Sequence, residues 1–119
     1  MADELTRMNC AVDATMAVIE GRWKSIIICK LAHIGPLRFN QLIREIDGVS
    51  PRILTKQLKE LESDGIVNRV SYPEIPPKVE YSLTDKGRSL GPIFLMMRDW
   101  GLSHQCTNLV RIDGCGPGD

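Results

Sequence analysis

One stretch of the chain carries polar side chains at a spacing that could bring them together against a polyanion. These residues are Arg52, Thr55, Lys56 and Lys59. The leucines at 54, 58 and 61 alternate with them, so a helix here would bury the leucines and expose the polar set. We expect Arg52 and Thr55, nearest the start of the helix, to meet base edges, because arginine can bind guanine with two hydrogen bonds. Lys56 and Lys59 are better suited to phosphates.

On an arbitrary helix such a run would more often be a plain solvated face, so the neighbouring elements must decide. Residues 40–46 have the pattern of a short amphipathic helix, and 47–49 form a turn that contains Gly48. Residues 66–72 and 78–83 read as two strands around a proline-rich tip. Helix, turn, helix and hairpin in this order predict a winged helix-turn-helix, a device that places one helix in a groove of duplex DNA.

Other residues of this motif are candidates for contacts with the DNA backbone. Ser50 is a preferred N-cap ahead of Pro51, and capping alone could explain it, although its hydroxyl could also meet a phosphate. Arg38 and Gln41 open the first motif helix, where ordinary solvent exposure is an equally good explanation. Arg69 and Lys78 flank the wing tip and could reach the adjacent minor groove.

The remainder of the chain reads as helices over Ala11–Glu20, Arg22–His33 and Lys86–Leu102. The predicted fold class is therefore α+β, mostly α. The last helix has the apolar positions Leu90, Ile93, Phe94, Met97 and Trp100, which exceed what one small domain can cover. We expect the first and last helices to form a homodimer. The predicted domain spans residues 1–102, followed by a flexible tail over 103–119.

The composition is that of an ordinary globular domain. The chain has 119 residues, of which 43% are hydrophobic and 25% charged, and its formal net charge is zero. Many DNA-binding proteins are basic, so the zero charge counts mildly against DNA, although the distribution of charge matters more. No apolar run approaches the ~20 residues of a membrane span, and no secretory signal is visible. We expect a cytoplasmic protein with no membrane partner.

The chain has four cysteines but no CxxC pair, which disfavours a zinc ribbon or a thioredoxin-type site, and no metal or cofactor is expected. Cys10 precedes the predicted first helix, where the helix dipole would favour a thiolate. Cys29 is expected to be a buried small hydrophobe. Its spacing from His33 suits a metal, but two ligands are too few and a helix-surface accident explains it better. Cys106 and Cys115 fall in the predicted tail.

Several strings of this sequence occur in the order and spacing of a known family. They are Gly21–Lys24, Arg38–Leu42, Gly48–Ser50, Leu54–Thr55, Leu58–Glu62, Asp64–Val67, Pro76–Thr84 and Trp100–Gly101. In these the chain resembles the HxlR-type winged helix-turn-helix transcriptional regulators. The resemblance implies a homodimer, built from the first and last helices, on a pseudo-palindromic operator. It also implies a thiol-reactive or small-molecule signal, because several relatives sense oxidants through a cysteine at the place of Cys10. The proline that usually follows is Ala11 here.

Two other classes of function compete with a DNA-binding regulator. Winged helices also serve as protein-interaction modules, and the zero net charge favours that alternative. A thiol enzyme such as a peroxide reductase is less well supported, because no histidine stands near a cysteine in a catalytic pattern.

Overall fold

The computed structural model describes residues 3–105, which form six helices and a three-stranded sheet. The helices are α1 (Glu4–Ile19), α2 (Lys24–Ile34), α3 (Phe39–Glu45), α4 (Pro51–Ser63), α5 (Asp85–Arg88) and α6 (Gly91–His104). The strands are β1 (Leu37–Arg38), β2 (Val67–Tyr72) and β3 (Lys78–Leu83). This is the predicted mostly helical α+β fold with a winged helix-turn-helix at its centre.

The core lies where α2, α3 and α4 meet the sheet. Ile27, Leu42 and Leu54 have no exposed surface, and each comes from a different one of these helices. Leu58 and Leu61 continue the buried side of α4, which confirms the predicted leucine seam. The packing of α3 and α4 on α2 therefore sets the direction in which the opposite face of α4 points.

The sheet is antiparallel with the strand order β1-β3-β2. Val67 pairs with Leu83 at the base of the hairpin and Tyr72 pairs with Lys78 at its tip. The two long strands confirm the predicted wing. Residues 37–39 could form a small strand on sequence grounds, and β1 does so by pairing Leu37 with Tyr81.

The base of the wing is fixed by Thr84 and Gly87. The Thr84 hydroxyl donates to the Gly65 carbonyl at 2.6 Å, and the Thr84 amide donates to the Ile66 carbonyl at 3.0 Å. Gly87 is buried, and a Cβ at this position would lie 2.3 Å from the Ile66 carbonyl oxygen. Only a glycine lets α5 come this close to the start of β2.

The prediction of one continuous last helix was wrong. The chain forms a single turn, α5, and then begins again as α6, with a break at Ser89 and Leu90. Pro92 lies in the first turn of α6, where its missing N–H is tolerated, whereas within a longer helix it would remove a hydrogen bond.

The first helix also differs from its prediction, because it begins at Glu4 rather than Ala11. Asp3 is its N-cap and accepts a hydrogen bond from the Thr6 amide at 2.8 Å, which lowers the pKa of Asp3. Cys10 therefore lies within the helix and not ahead of it. The argument that the dipole at the helix start acts on this thiol was wrong.

Helices α1 and α6 present apolar side chains to solvent. On α1 these are Leu5, Met8, Val12 and Met16, at spacings that place them on one face. On α6 they are Ile93, Leu95, Met96, Met97 and Trp100. Trp100 is 58% exposed and its ring stacks on His104, whereas Trp23 is half-buried and packs against the core. Both helices thus leave a face that a single subunit does not cover.

Over residues 3–105, no helix is both long enough and apolar enough to cross a membrane.

Candidate nucleic-acid interface

Local signals in the sequence determine where helix α4 begins. Gly48 adopts a φ of 85° in the turn after α3, a conformation that other residues rarely take. Ser50 then caps α4, because its Oγ accepts a hydrogen bond from the Ile53 amide at 3.1 Å. Pro51 occupies the first turn, as predicted. The Ser50 side chain therefore has a structural function as the N-cap, and its contact with a phosphate stays a prediction.

The predicted polar face of α4 is exposed as a unit. Arg52, Thr55, Lys56 and Lys59 are all exposed. Among the described residues, no carboxylate forms an ion pair with Arg52, Lys56 or Lys59. Thr55 donates its hydroxyl to the Pro51 carbonyl at 2.8 Å, which leaves that oxygen able to accept but not to donate. In the described part of the chain these three cations form no ion pairs, although Lys56 lies near enough to Glu60 to help lower the pKa of that carboxyl. Such a face suits a polyanion.

Two lysines of α2 hold the motif helices, and pattern reasoning missed both of them. Lys24 is buried and its Nζ lies 2.8 Å from Oε1 of Glu60 on α4. This hydrogen bond, together with the charge of Lys24, lowers the pKa of Glu60. Lys30 Nζ lies 3.6 Å from Oε1 of Glu45 on α3. The sequence gives a lysine within an apolar helix no obvious partner, and only the fold brings these carboxylates near.

Arg38 and Gln41 lie at the start of α3, as expected. The Gln41 Oε1 accepts a hydrogen bond from the Arg38 amide at 2.8 Å, so this side chain stabilises the beginning of the helix. The Arg38 residue is exposed and Gln41 is half-buried. Gln41 therefore has a capping function, and its contact with a phosphate stays a prediction.

The two wing candidates differ in their freedom to bind DNA. Arg69 is exposed on β2, opposite Tyr81. Lys78 is half-buried, with its Nζ 3.4 Å from Oε2 of Glu80 and 4.9 Å from the centre of the Tyr72 ring. Ile75, at the tip between them, is fully exposed. The wing therefore offers one exposed cation and one that is already paired.

The cysteines fall in different settings. Cys10 is exposed on α1, two positions from Met8 and from Val12, so it points away from the apolar face of that helix. Cys29 is half-buried rather than buried and lines a cavity, which corrects its prediction as a core residue. Cys106 and Cys115 lie outside the described residues.

A buried leucine seam, a cationic outer face and a two-stranded wing define a winged helix-turn-helix DNA-binding protein. The comparisons with known proteins give its family. The model of the HxlR-like helix-turn-helix family matches residues 18–108, and the chain belongs to this family. It is a DNA-binding transcriptional regulator. Similar proteins of this family are named as transcriptional regulators or redox regulators.

Its relatives include proteins of known structure. The chain is 46% identical over 101 residues to the HTH-type transcriptional regulator YtcD of Bacillus subtilis, which covers 85% of this chain and 79% of YtcD. It is 48% identical to the redox regulator HypR in its reduced form, with a TM-score of 0.74 over 80% of this chain and 93% of HypR. The reduced regulator YodB from B. subtilis is 33% identical, with a TM-score of 0.73 over 88% of this chain and 96% of YodB.

Proposed function

We propose that the chain acts in the cytoplasm as a homodimer that binds a pseudo-palindromic operator, with α4 of each subunit in the major groove. One observation carries this proposal. Among residues 3–105, the three cations on the exposed face of α4 have no ion-pair partner, while Leu54, Leu58 and Leu61 bury its opposite face in the core. Because the helix is already ordered before it binds, little conformational entropy of its backbone is lost on binding.

Within this proposal the side chains divide by their distance from the base pairs. Arg52 and Thr55, in the first turns of α4, reach base edges, and Thr55 does so as an acceptor or through its methyl group. Lys56 and Lys59 bind phosphates, joined by Ser50, Arg38 and Gln41 around the ends of the motif helices. Arg69 reaches the minor groove beside the wing, and Lys78 can do so only after its contact with Glu80 is broken.

The dimer is supported by the apolar faces of α1 and α6. Together they expose large side chains such as Leu5, Met8, Met96 and Trp100, which a second copy would cover. Twofold symmetry then separates the two recognition helices by one helical turn of DNA, about 34–36 Å, or a multiple of it. The operator is expected to have two half-sites at that spacing.

The salt dependence of binding to duplex DNA tests the proposal. Operator sequences would be selected from a random duplex pool, and the dissociation constant of one measured over a range of salt. If each of two subunits uses Lys56 and Lys59, those four lysines alone give a log–log slope of roughly −3.6. A flat salt dependence, or no enrichment of any sequence, would favour the protein-interaction module.

A signal acting through Cys10 is the second part of the proposal. The thiol is exposed on the side of α1 away from Leu5, Met8, Val12 and Met16, so it stays accessible when that face is covered. The similarity to the redox regulator HypR supports a thiol signal here. Treatment with a quinone or a disulfide reagent should change operator affinity in the parent and not in Cys10→Ser. An equal response of both proteins would remove Cys10 as the sensor and leave the DNA-binding site intact.

A further inference from the structure

A cavity of about 580 Å³ lies on the opposite side of α6 from most of its exposed apolar residues. Its walls come from α2, the end of β3, α5 and α6. The apolar part of the wall includes Ile28, Leu31, Phe94 and Leu95. This volume falls in the range of about 300–1,000 Å³ that is typical of small-molecule sites in proteins.

The cavity wall carries two arginines. Arg88 and Arg98 line the cavity, and within the described part of the chain none of the lining residues is an aspartate or a glutamate. Arg88 is held in place, because it donates to the Leu83 carbonyl at 2.9 Å and pairs with Asp85. Arg98 uses Nε and one terminal nitrogen on its sequence neighbour Asp99, an exposed pair that is easily exchanged for another anion. An apolar chamber with a guanidinium at its edge suits a ligand with a carboxylate and an apolar body.

Helix α6 connects this cavity to the surface that we assign to the dimer. Gly91, Phe94, Leu95 and Arg98 line the cavity, at the i, i+3, i+4 and i+7 spacing of one helix face. Ile93, Met96, Met97 and Trp100 occupy the other side of the same helix. A ligand in the cavity and a second subunit can therefore contact α6 at the same time.

We propose that this cavity is an effector site for a small amphipathic carboxylate, and that its occupancy changes operator affinity by moving α6 against the dimer interface. The effector function rests on the proposed function as a dimeric DNA-binding regulator. A shift of α6 by a fraction of a turn would alter how the subunits meet and hence the distance between their recognition helices.

Calorimetric titration with naphthoate tests the site without DNA. Naphthoate should bind saturably, and naphthamide, which has the same ring and no charge, should bind about tenfold more weakly or worse. Gly91→Leu should abolish binding, because a Cβ at this position meets no atom within 4 Å and the larger side chain extends into the cavity. Arg98→Gln should weaken naphthoate at least about tenfold and leave naphthamide unchanged.

Gly101→Leu is the matched control, since this glycine is also on α6, also has no atom within 4 Å of its Cβ position, and does not line the cavity. It should bind naphthoate as the parent does. Absence of saturable binding to the parent, or equal binding of acid and amide, would overturn the assignment.

The coupling is tested by measuring operator affinity with and without saturating naphthoate. We expect a change of at least about fivefold in the parent, the lower end of ordinary allosteric coupling, and none in Gly91→Leu. Naphthoate binding that leaves operator affinity unchanged would overturn the effector function. If the protein binds no DNA at all, the proposed function fails, and the calorimetry still decides whether the cavity binds carboxylates.

Discussion

Arg52 and Lys59 share the exposed face of α4 but lie at different distances from its start, and we expect their loss to have different consequences. Arg52→Ala should cost roughly 1–3 kcal/mol on the preferred operator and relax the preference at one base pair. Lys59→Ala should weaken specific and non-specific duplexes alike and lower the salt slope by about one counterion for each subunit. Competition binding on both duplexes separates the two effects. Parental binding by both variants at matched salt would mean that α4 is not the recognition helix.

Gly87 and Gly91 make a matched pair for stability. Gly87→Ala places a methyl group 2.3 Å from a backbone oxygen that is fixed in the wing, so we expect a loss of about 1–3 kcal/mol. Gly91→Ala meets no atom within 4 Å outside its chain neighbours, but Gly91 is the first residue of α6 and precedes Pro92, which restricts the residue before it. We therefore expect a smaller loss, roughly 0.5 kcal/mol. Urea unfolding of the two variants measures both values. Equal stabilities would show that α5 can move away from Ile66 at little cost.

At the scale of elements, α2 holds both helices of the motif through Lys24 and Lys30. The Lys24–Glu60 pair also contributes to the acid limb of the stability profile, which is the decline of the unfolding free energy as the pH falls. The pKa of Glu60 is lowered by the hydrogen bond from Lys24, so the pair stabilises the fold fully above the usual value of 4.5. This contribution is lost as the pH falls below 4.5 through the lower folded pKa. Glu60→Gln should therefore have a shallower decline in unfolding free energy over that window than the parent.

The control for this pair is Lys24→Met, which replaces the buried ammonium with an apolar chain of similar length. We expect it to flatten the acid limb as Glu60→Gln does, and to be less destabilising at neutral pH than Glu60→Gln, which leaves the Lys24 charge buried without a carboxylate. Parallel acid limbs in all three proteins would show that the pair contributes nothing to the pH dependence.

The elements that the sequence predicted correctly are those whose signals are local. Ser50, Pro51 and the leucine seam determine α4 from within a few residues, and the strands are bounded by prolines at the wing tip. The break before α6 also has a local signal, because Pro92 marks it. The apolar residues on both sides keep a helical period, and this period predicts one continuous helix. The apolar pattern does not reveal the start of α1, because Leu5 and Met8 stand among polar residues, although Asp3 is a good cap.

Features that depend on distant segments could not be predicted. Lys24 looks like a solvent-facing residue until the fold brings Glu60 to it. The cavity is built from residues of α2, β3, α5 and α6, which no local pattern connects. Of the candidate contacts with DNA, the four on α4 could be grouped by period alone, whereas the pairing of Lys78 with Glu80 needed the hairpin.

At the scale of the whole molecule, the exposed apolar faces of α1 and α6 predict a dimer. A charged residue introduced into that interface should weaken it. Light scattering at micromolar concentration should give twice the subunit mass for the parent. Met96→Glu should weaken association by roughly 2 kcal/mol or more, because it places an unpaired carboxylate in the interface. Ile75→Glu is the control, since Ile75 is also exposed but lies on the wing tip, and it should leave the dimer intact. A monomeric parent would contradict the assignment of both faces.

The partition of α4 into a buried side and a free side has a consequence for how such regulators diversify. Arg52, Lys56 and Lys59 make no ion pairs in the described part of the chain, and their side chains lie away from the leucine seam. Substitutions at these positions are therefore nearly neutral for folding, typically within about 0.5 kcal/mol. After gene duplication, one copy could acquire a new operator by a few changes on this face while its core stays under the same selection. DNA sequence preference should then drift faster than the fold.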